Sequence, residues 1–243
     1  MFGEKLGWER ANWFADTGEE PRDIYTFGLP NWHSAVAREH KAAREAAVLF
    51  DQTSFAKYIL TGPDAEQALQ WIASNRVDKP VGSIIYTQML NDNGGIECDL
   101  TCVRTKFNEY YITTGTGYAT HDFNWISRNI PSELNAQLID VTSSNAVLSL
   151  FGPNARDILQ VLTVNDVSDN GHPFGSARQI SIAGCQVLAM RITYVGELGW
   201  ELHLPVDYAQ TVYNKLIEAG SPLGLRNAGY RAIETLRLEK GYR

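Results

Sequence analysis

Residues 59–77 (ILTGPDAEQALQWIASNRV) and 149–167 (SLFGPNARDILQVLTVNDV) align at a constant offset of 90. Gly62, Pro63, Ala65, Leu69, Gln70, Asn75 and Val77 recur as Gly152, Pro153, Ala155, Leu159, Gln160, Asn165 and Val167. A chain that carries one segment twice is constrained to fold twice in the same way. Each copy reads as a short apolar strand running into Gly-Pro. There the proline ring presets the backbone for a first helical turn and gives up only an N–H that would have no partner. The helix that follows is amphipathic, with Ala65, Ala68, Leu69 and Ile72 on one face of the first copy and Ala155, Ile158, Leu159 and Leu162 on one face of the second.

Strand-like stretches follow each helix, at 84–90, 96–104 and 109–115 and again at 178–183, 185–193 and 199–204. Each set closes with a helix, at 118–130 and 207–219. The expected fold is therefore α+β: two related subdomains, about 54–131 and 144–220, of antiparallel strands with flanking helices. A duplication of this kind favours a ligand site at the junction of the copies. Residues 1–30 read as an extension or linker ahead of a domain covering 31–243. Trp8, Trp13, Phe14, Tyr25, Phe27 and Trp32 crowd this start, and they must pack on the domain or on a neighbour. Residues 228–240 read as a last helix with nothing after it to cover it, which points to further chain in the full-length protein.

Charge narrows the functions available. The formal net charge of −7 comes without a basic cluster, so recognition of nucleic acid through its phosphates is not expected. No run of about 18 apolar residues is present to span a membrane, and no apolar stretch follows Met1-Phe2-Gly3-Glu4-Lys5, so a signal peptide is not expected. Three cysteines, Cys98, Cys102 and Cys185, do not make a disulfide framework and suit a reducing, cytoplasmic setting. Cys98 and Cys102 share one face of a strand with no Cys or His pair following at zinc spacing, so they read as buried strand residues and no metal is expected. Gly115-Thr116-Gly117, with Thr120 where a third glycine would fall, reads as a loop into a helix rather than a dinucleotide fingerprint. The histidines, at 33, 40, 121, 172 and 203, are scattered, and most are expected at the surface or capping helices.

Four segments carry chemistry. An amphipathic helix bearing Arg38-Glu39-His40 leads into Phe50-Asp51-Gln52-Thr53-Ser54, so that the helix is expected to end near Asp51. Tyr86-Thr87-Gln88-Met89-Leu90 is joined to Ile96-Glu97-Cys98-Asp99-Leu100 by Asn93-Gly94-Gly95, residues that tolerate the positive φ of a tight hairpin. Alternation then sends Ile96, Cys98, Leu100 and Cys102 to one side and Glu97, Asp99 and Thr101 to the other, where Asp99 by itself reads as a solvated strand residue. Tyr194-Val195-Gly196-Glu197-Leu198-Gly199-Trp200-Glu201 places two glycines in a tight bend ahead of a carboxylate. The last segment is Leu236-Arg237-Leu238-Glu239-Lys240-Gly241-Tyr242-Arg243.

In this order and with these gaps, the segments resemble the aminomethyltransferase (glycine-cleavage T-protein) family across nearly the whole chain. The Glu239-Lys240-Gly241-Tyr242-Arg243 wording and the opening Phe2-Gly3-Glu4-Lys5-Leu6-Gly7-Trp8-Glu9-Arg10 are closest to the folate-binding C-terminal half of the dimethylglycine and sarcosine dehydrogenases. The resemblance implies the aminomethyltransferase folate-binding fold, with the family's C-terminal barrel domain outside this chain. It implies tetrahydrofolate as cofactor, a small amine or methyl donor as substrate, and a flavin dehydrogenase domain as partner. Asp99 falls at the family's key carboxylate. Glu201 falls at the carboxylate that holds the pterin, whose amino group and ring N–H can both donate to it. Tyr86 and Tyr194 would line the pterin slot, and Thr114 and Gly115 belong to the strand end that borders it.

The sequence departs from the glycine-cleavage pattern at two places. Gly115 stands where those proteins usually carry Asn, and Ile233 where they carry Arg, which leaves Arg231 or Arg237 to meet the anionic folate tail. The reaction implied is capture of an amine-derived one-carbon unit as 5,10-methylenetetrahydrofolate. The alternatives are a free-standing folate-dependent methyltransferase or demethylase and a non-catalytic folate-binding fragment. A third alternative is the folate-dependent iron–sulfur-assembly and tRNA-maintenance branch, whose Lys-Gly-Cys-Tyr-x-Gly-Gln-Glu signature is not found in this chain, which stops near where it would fall.

Overall fold

The structure, a computed structural model, describes residues 1–242. In chain order its first elements are β1 (Phe2–Lys5), β2 (Trp8–Ala11), α1 (His33–Glu45), β3 (Ala47–Asp51), β4 (Ala56–Thr61), α2 (Ala65–Ile72), β5 (Ile84–Leu90), β6 (Ile96–Lys106) and β7 (Glu109–Thr114). There follow α3 (Ala119–Asn129), β8 (Gln137–Asp140), β9 (Asn145–Phe151), α4 (Ala155–Gln160), β10 (Ala177–Ile182), β11 (Cys185–Met190), β12 (Gly199–Pro205), α5 (Ala209–Gly220), β13 (Leu225–Asn227) and α6 (Tyr230–Lys240). The architecture is α+β, with sheets that are antiparallel apart from β13, which runs parallel to β3, and with flanking helices; both copies of the repeat give a strand, a Gly-Pro turn and a helix.

Contacts divide the chain into two units: residues 53–145 with 175–178, and the remainder. The first contains a five-stranded sheet in the order β5-β6-β7-β4-β8. One face packs on α2 and α3 through Tyr58, Leu60, Leu69, Cys98, Leu100, Cys102, Ile112 and Ile126, all essentially buried. The second contains a six-stranded sheet in the order β10-β11-β12-β9-β3-β13, whose core includes Leu150, Ile158, Leu159, Val187, Trp200, Leu202 and Leu216.

Two strands do not follow the copies. β3 precedes the first copy yet pairs antiparallel with β9 of the second, with Leu49 opposite Leu150. β8 precedes the second copy yet pairs antiparallel with β4 of the first, with Leu60 opposite Leu138. Residues 47–51 and 137–140 thus complete each other's sheets, and both lie outside the ranges 54–131 and 144–220 read from the repeat. Periodicity within a segment carries no information on which distant strand it joins.

Helix α1 stops at Glu45, not near Asp51, and Phe50 and Asp51 lie on β3. Ala46 leaves the helical region, and Ala47, Val48, Leu49 and Phe50 are all buried, so the apolar run suits a strand covered on both faces. The last helix begins at Tyr230 rather than 228: Gly229 is extended, at φ −102° and ψ 177°, and its N–H donates to the buried Glu39 carboxylate at 3.0 Å. The N-terminal aromatics divide. Trp13 is buried and donates its indole N–H to Asp23 at 2.9 Å, whereas Tyr25 and Phe27 are exposed. Among the described residues no helix is long and apolar enough to cross a membrane.

Candidate functional site

The hairpin β5–β6 sets the position of Asp99. Its turn is organised by Asn91, whose Oδ1 accepts the N–H groups of Asn93 at 3.0 Å and Gly95 at 2.9 Å, with Gly94 at φ +78°. Asn93-Gly94-Gly95 is legible as a turn, and Asn91, two residues ahead of it, is the side chain that closes it. In the resulting register Gln88 lies opposite Asp99 and Tyr86 opposite Thr101, so Tyr86 and Asp99 are diagonal neighbours on one face. Asp99 and Tyr86 are exposed, and Gln88 donates its amide to Asp99 Oδ1 at 3.2 Å. Cys98, Leu100 and Cys102 face the core as alternation requires. Ile96 does not: the register slips between Met89 and Leu90, and this irregularity leaves Ile96 exposed.

Thr114 and Gly115 lie at the far end of β7. Thr114 is buried and donates its hydroxyl to Asp122 Oδ2 at 2.6 Å, on the core side of the sheet, opposite the face that carries Asp99. Gly115 has φ −64° and ψ 144°, extended backbone open to other residues, and it leads into a short 3-10 turn at Thr116–Tyr118 ahead of α3. The segment is a loop into a helix, as its spacing suggested.

In the other unit, the bend before β12 is built from side chains that its own sequence does not announce. Thr193 Oγ1 accepts the N–H groups of Val195 at 3.2 Å and Gly196 at 3.1 Å. Arg44, reaching over from α1, donates to the Val195 carbonyl at 2.6 Å, to Glu197 at 2.9 Å and to Glu239 at 3.0 Å. Arg44 and His40, which lies 3.2 Å from Glu239, hold the Glu239 carboxyl below the usual glutamate range. Glu197 is therefore tied into this clamp. Glu201, four residues later, stands on β12 opposite Met190, with Trp200 and Leu202 turned into the core and His203 Nε2 3.5 Å from its carboxylate. Tyr194 stacks on Tyr242, with ring centroids 6.0 Å apart and planes 13° apart.

The two arginines expected to meet an anionic tail already hold carboxylates. Arg237 donates to Glu234 at 2.7 Å and to the Tyr242 carbonyl at 3.2 Å. Arg231 pairs with Asp23 at 2.5 Å and lies over the Trp32 ring, 3.5 Å from its centroid. A groove of about 590 Å³ between α1 and α6, lined by Trp32, Val36, His40, Tyr230, Arg231 and Glu234, contains Arg231 but neither Tyr194 nor Glu201. Ile233, where an arginine was expected, is buried in the helix-packing core. The histidines do not all sit at the surface: His33 and His121 are exposed, but His172 and His203 are buried.

The predicted residues thus form local groups. Tyr86 and Asp99 share a solvent-facing patch in one unit, with Thr114 and Gly115 apart from them. Tyr194, Arg237 and Tyr242 cluster in the other, with Glu201 beside His203 and Arg231 in the groove.

A duplicated α+β domain with this strand order has a close structural counterpart. The glycine cleavage system aminomethyltransferase T from Bartonella henselae superposes with a TM-score of 0.80 at 24% identity, over 100% of this chain and 59% of that one. The fold is therefore of the aminomethyltransferase class. The chain belongs to the GCVT N-terminal domain family, which it matches over residues 1–243. Among curated proteins it is 39% identical over 242 residues to 4-methylaminobutanoate oxidase (formaldehyde-forming) of Paenarthrobacter nicotinovorans, covering 100% of this chain and 29% of that protein. It is 37% identical over 281 residues to human mitochondrial sarcosine dehydrogenase, covering 100% and 31%. The chain spans about a third of the length of these relatives.

Proposed function

We propose that this chain binds a reduced folate and serves one-carbon transfer, with tetrahydrofolate capturing an amine-derived one-carbon unit as 5,10-methylenetetrahydrofolate. The observation that carries the reading is the exposed Asp99 carboxylate beside Tyr86, at the family's acidic strand position, in a chain that matches the GCVT N-terminal domain from end to end.

The chemistry required is modest. Folate N5 attacks formaldehyde or the equivalent iminium carbon, water or amine leaves, and N10 closes the five-membered ring with loss of a proton. Asp99 is the group that accepts that proton or stabilises the cationic intermediate before closure. Glu201, an acceptor on both oxygens, orients the pterin through its amino group and ring N–H. Tyr86 and Tyr194 offer flat faces for the ring, and holding N5 beside the carbon converts a bimolecular encounter into a local one. A flavin-bearing dehydrogenase domain would be the source of the one-carbon unit, in keeping with the longer relatives being a formaldehyde-forming oxidase and a dehydrogenase.

Calorimetric titration of the chain with tetrahydrofolate tests this reading. Saturable 1:1 binding is expected. Glu201→Gln should weaken it, while Asp99→Asn should largely spare it and cut turnover in a full-length enzyme carrying the domain. Absence of binding, or full-strength binding by both variants, would overturn the assignment of these residues.

A further inference from the structure

We propose that Cys98, His121 and Asp122 form a divalent-metal site of the zinc class, on the side of β6 away from Asp99. Cys98 Sγ, a ring nitrogen of His121 and a carboxylate oxygen of Asp122 all lie within 4.8 Å of one another. A tetrahedral ion with metal–ligand bonds of about 2.0–2.3 Å holds its donors roughly 3.3–3.7 Å apart, so small side-chain movements close the cage. The donors come from two elements, Cys98 from β6 and His121 with Asp122 from the first turn of α3, and the ion would pin the helix to the strand.

Two further side chains already orient these donors as partners of metal ligands do. His121 presents Nδ1 to Asp122 Oδ1 at 2.9 Å and turns Nε2 toward Glu97 at 3.4 Å. With Nδ1 as ligand, the Nε2 proton points at a carboxylate, the arrangement that fixes the tautomer and raises the basicity of metal-binding histidines. Asp122 holds its other oxygen on the Thr114 hydroxyl at 2.6 Å, so that Oδ1 and His121 Nδ1, which now face each other, would exchange that contact for the ion. Thiolate, imidazole and carboxylate together select zinc-like ions over magnesium or calcium. Cys98 gives up its proton on binding, and the thiolate and the Asp122 carboxylate then neutralise a 2+ charge within a largely buried site. His121, about half exposed, opens a fourth position to water.

Sequence spacing concealed the site because its only cysteine pair, Cys98 and Cys102, is not the ligand pair. The test is a cobalt(II) titration of the reduced full chain, followed by its thiolate-to-metal charge-transfer absorption. We expect a 1:1 band that zinc displaces, that survives Cys102→Ala and that disappears in Cys98→Ser. His121→Ala lies at an exposed position and should fold, and it should lower the apparent affinity at least tenfold. Glu97→Gln should lower it by about tenfold. Lack of the band in the intact chain, its survival in Cys98→Ser, or an affinity unchanged by His121→Ala would overturn the proposal. The last outcome decides the matter even if Cys98→Ser fails to fold.

Discussion

Gly62 and Gly152, equivalent positions in the two copies of the repeat, take the same left-handed backbone, with φ +138° and +131°, and each is pressed by the chain that enters a strand joining its sheet from outside the copy. A Cβ on Gly62 would meet the Asn135 carbonyl oxygen and the Ala136 Cα ahead of β8, and one on Gly152 would meet the Ala46 carbonyl oxygen and the Ala47 Cα at the start of β3. The repeat therefore keeps its glycine for two reasons: a conformation that side chains resist, and a backbone too close to admit one.

These reasons can be separated by substitution. Gly94 shares the positive φ, at +78°, but nothing lies near enough to obstruct a Cβ. Gly94→Ala should cost about 1 kcal/mol, the ordinary penalty for a side chain in left-handed backbone. Gly62→Ala and Gly152→Ala add a backbone collision and should each cost more, about 2–4 kcal/mol. Urea denaturation of the three variants gives the comparison. Equal losses at all three would show that the entries to β3 and β8 yield freely.

How far the sequence foretold the fold depends on the range of the interaction involved. The Gly-Pro turns, the helices after them, the β5–β6 hairpin and the outward placement of Asp99 follow from periods of 2 and 3.6 residues and from turn chemistry, all local. The exchange of β3 and β8 does not, because Ala47–Asp51 and Gln137–Asp140 find their partners through long-range pairing. The site shows the same division. Asp99 and Glu201 could be singled out by motif, but Arg44, more than 150 positions from the bend it clamps, carries no local mark. Nor could spacing show that Arg231 and Arg237 would each be engaged by a carboxylate, or that Thr114 would turn to Asp122.

Arg44 offers a test of that clamp. Its guanidinium serves the Val195 and Leu236 carbonyls as well as two carboxylates, a fork that lysine cannot reproduce. Arg44→Lys should lower stability by about 1–3 kcal/mol, the range for leaving partly buried acceptors unmet. It should also weaken tetrahydrofolate binding, because Tyr194 and Glu201 flank the bend. Thermal melts and calorimetry on the same preparation separate the two effects. Lost stability with unchanged binding would detach the bend from the ligand.

The buried Glu39 gives a pH dependence of definite sign. Burial raises its pKa above the ordinary glutamate range, against the opposing N–H groups of Gly229 and Phe14. The folded state therefore holds this proton more tightly than the unfolded state, and the group's contribution to stability falls as pH rises from the unfolded value through the folded one. Glu39→Gln cannot ionise. The difference in melting temperature between Glu39→Gln and the parent should shift in favour of the variant as pH rises across that window and level off above it. A difference that is flat with pH would mean that Glu39 titrates alike in both states.

The occupied arginines lead to a less obvious expectation. If Arg237 meets the glutamate tail of a folate, the tail must displace Glu234, which now sits 2.7 Å from the guanidinium. An exposed pair of this kind is worth about 0.2–1 kcal/mol, so removing the competitor should tighten binding by roughly 1.4- to 5-fold. Glu234→Gln should therefore raise affinity for tetrahydrofolate while leaving affinity for a tail-less tetrahydropterin unchanged. Asp23→Asn makes the parallel test for Arg231, which stays stacked on Trp32 when its carboxylate partner is removed. A gain in only one variant identifies the arginine that takes the tail. A gain for the tail-less ligand as well would place the effect on the pterin, and no gain in either would exclude both arginines as tail receptors.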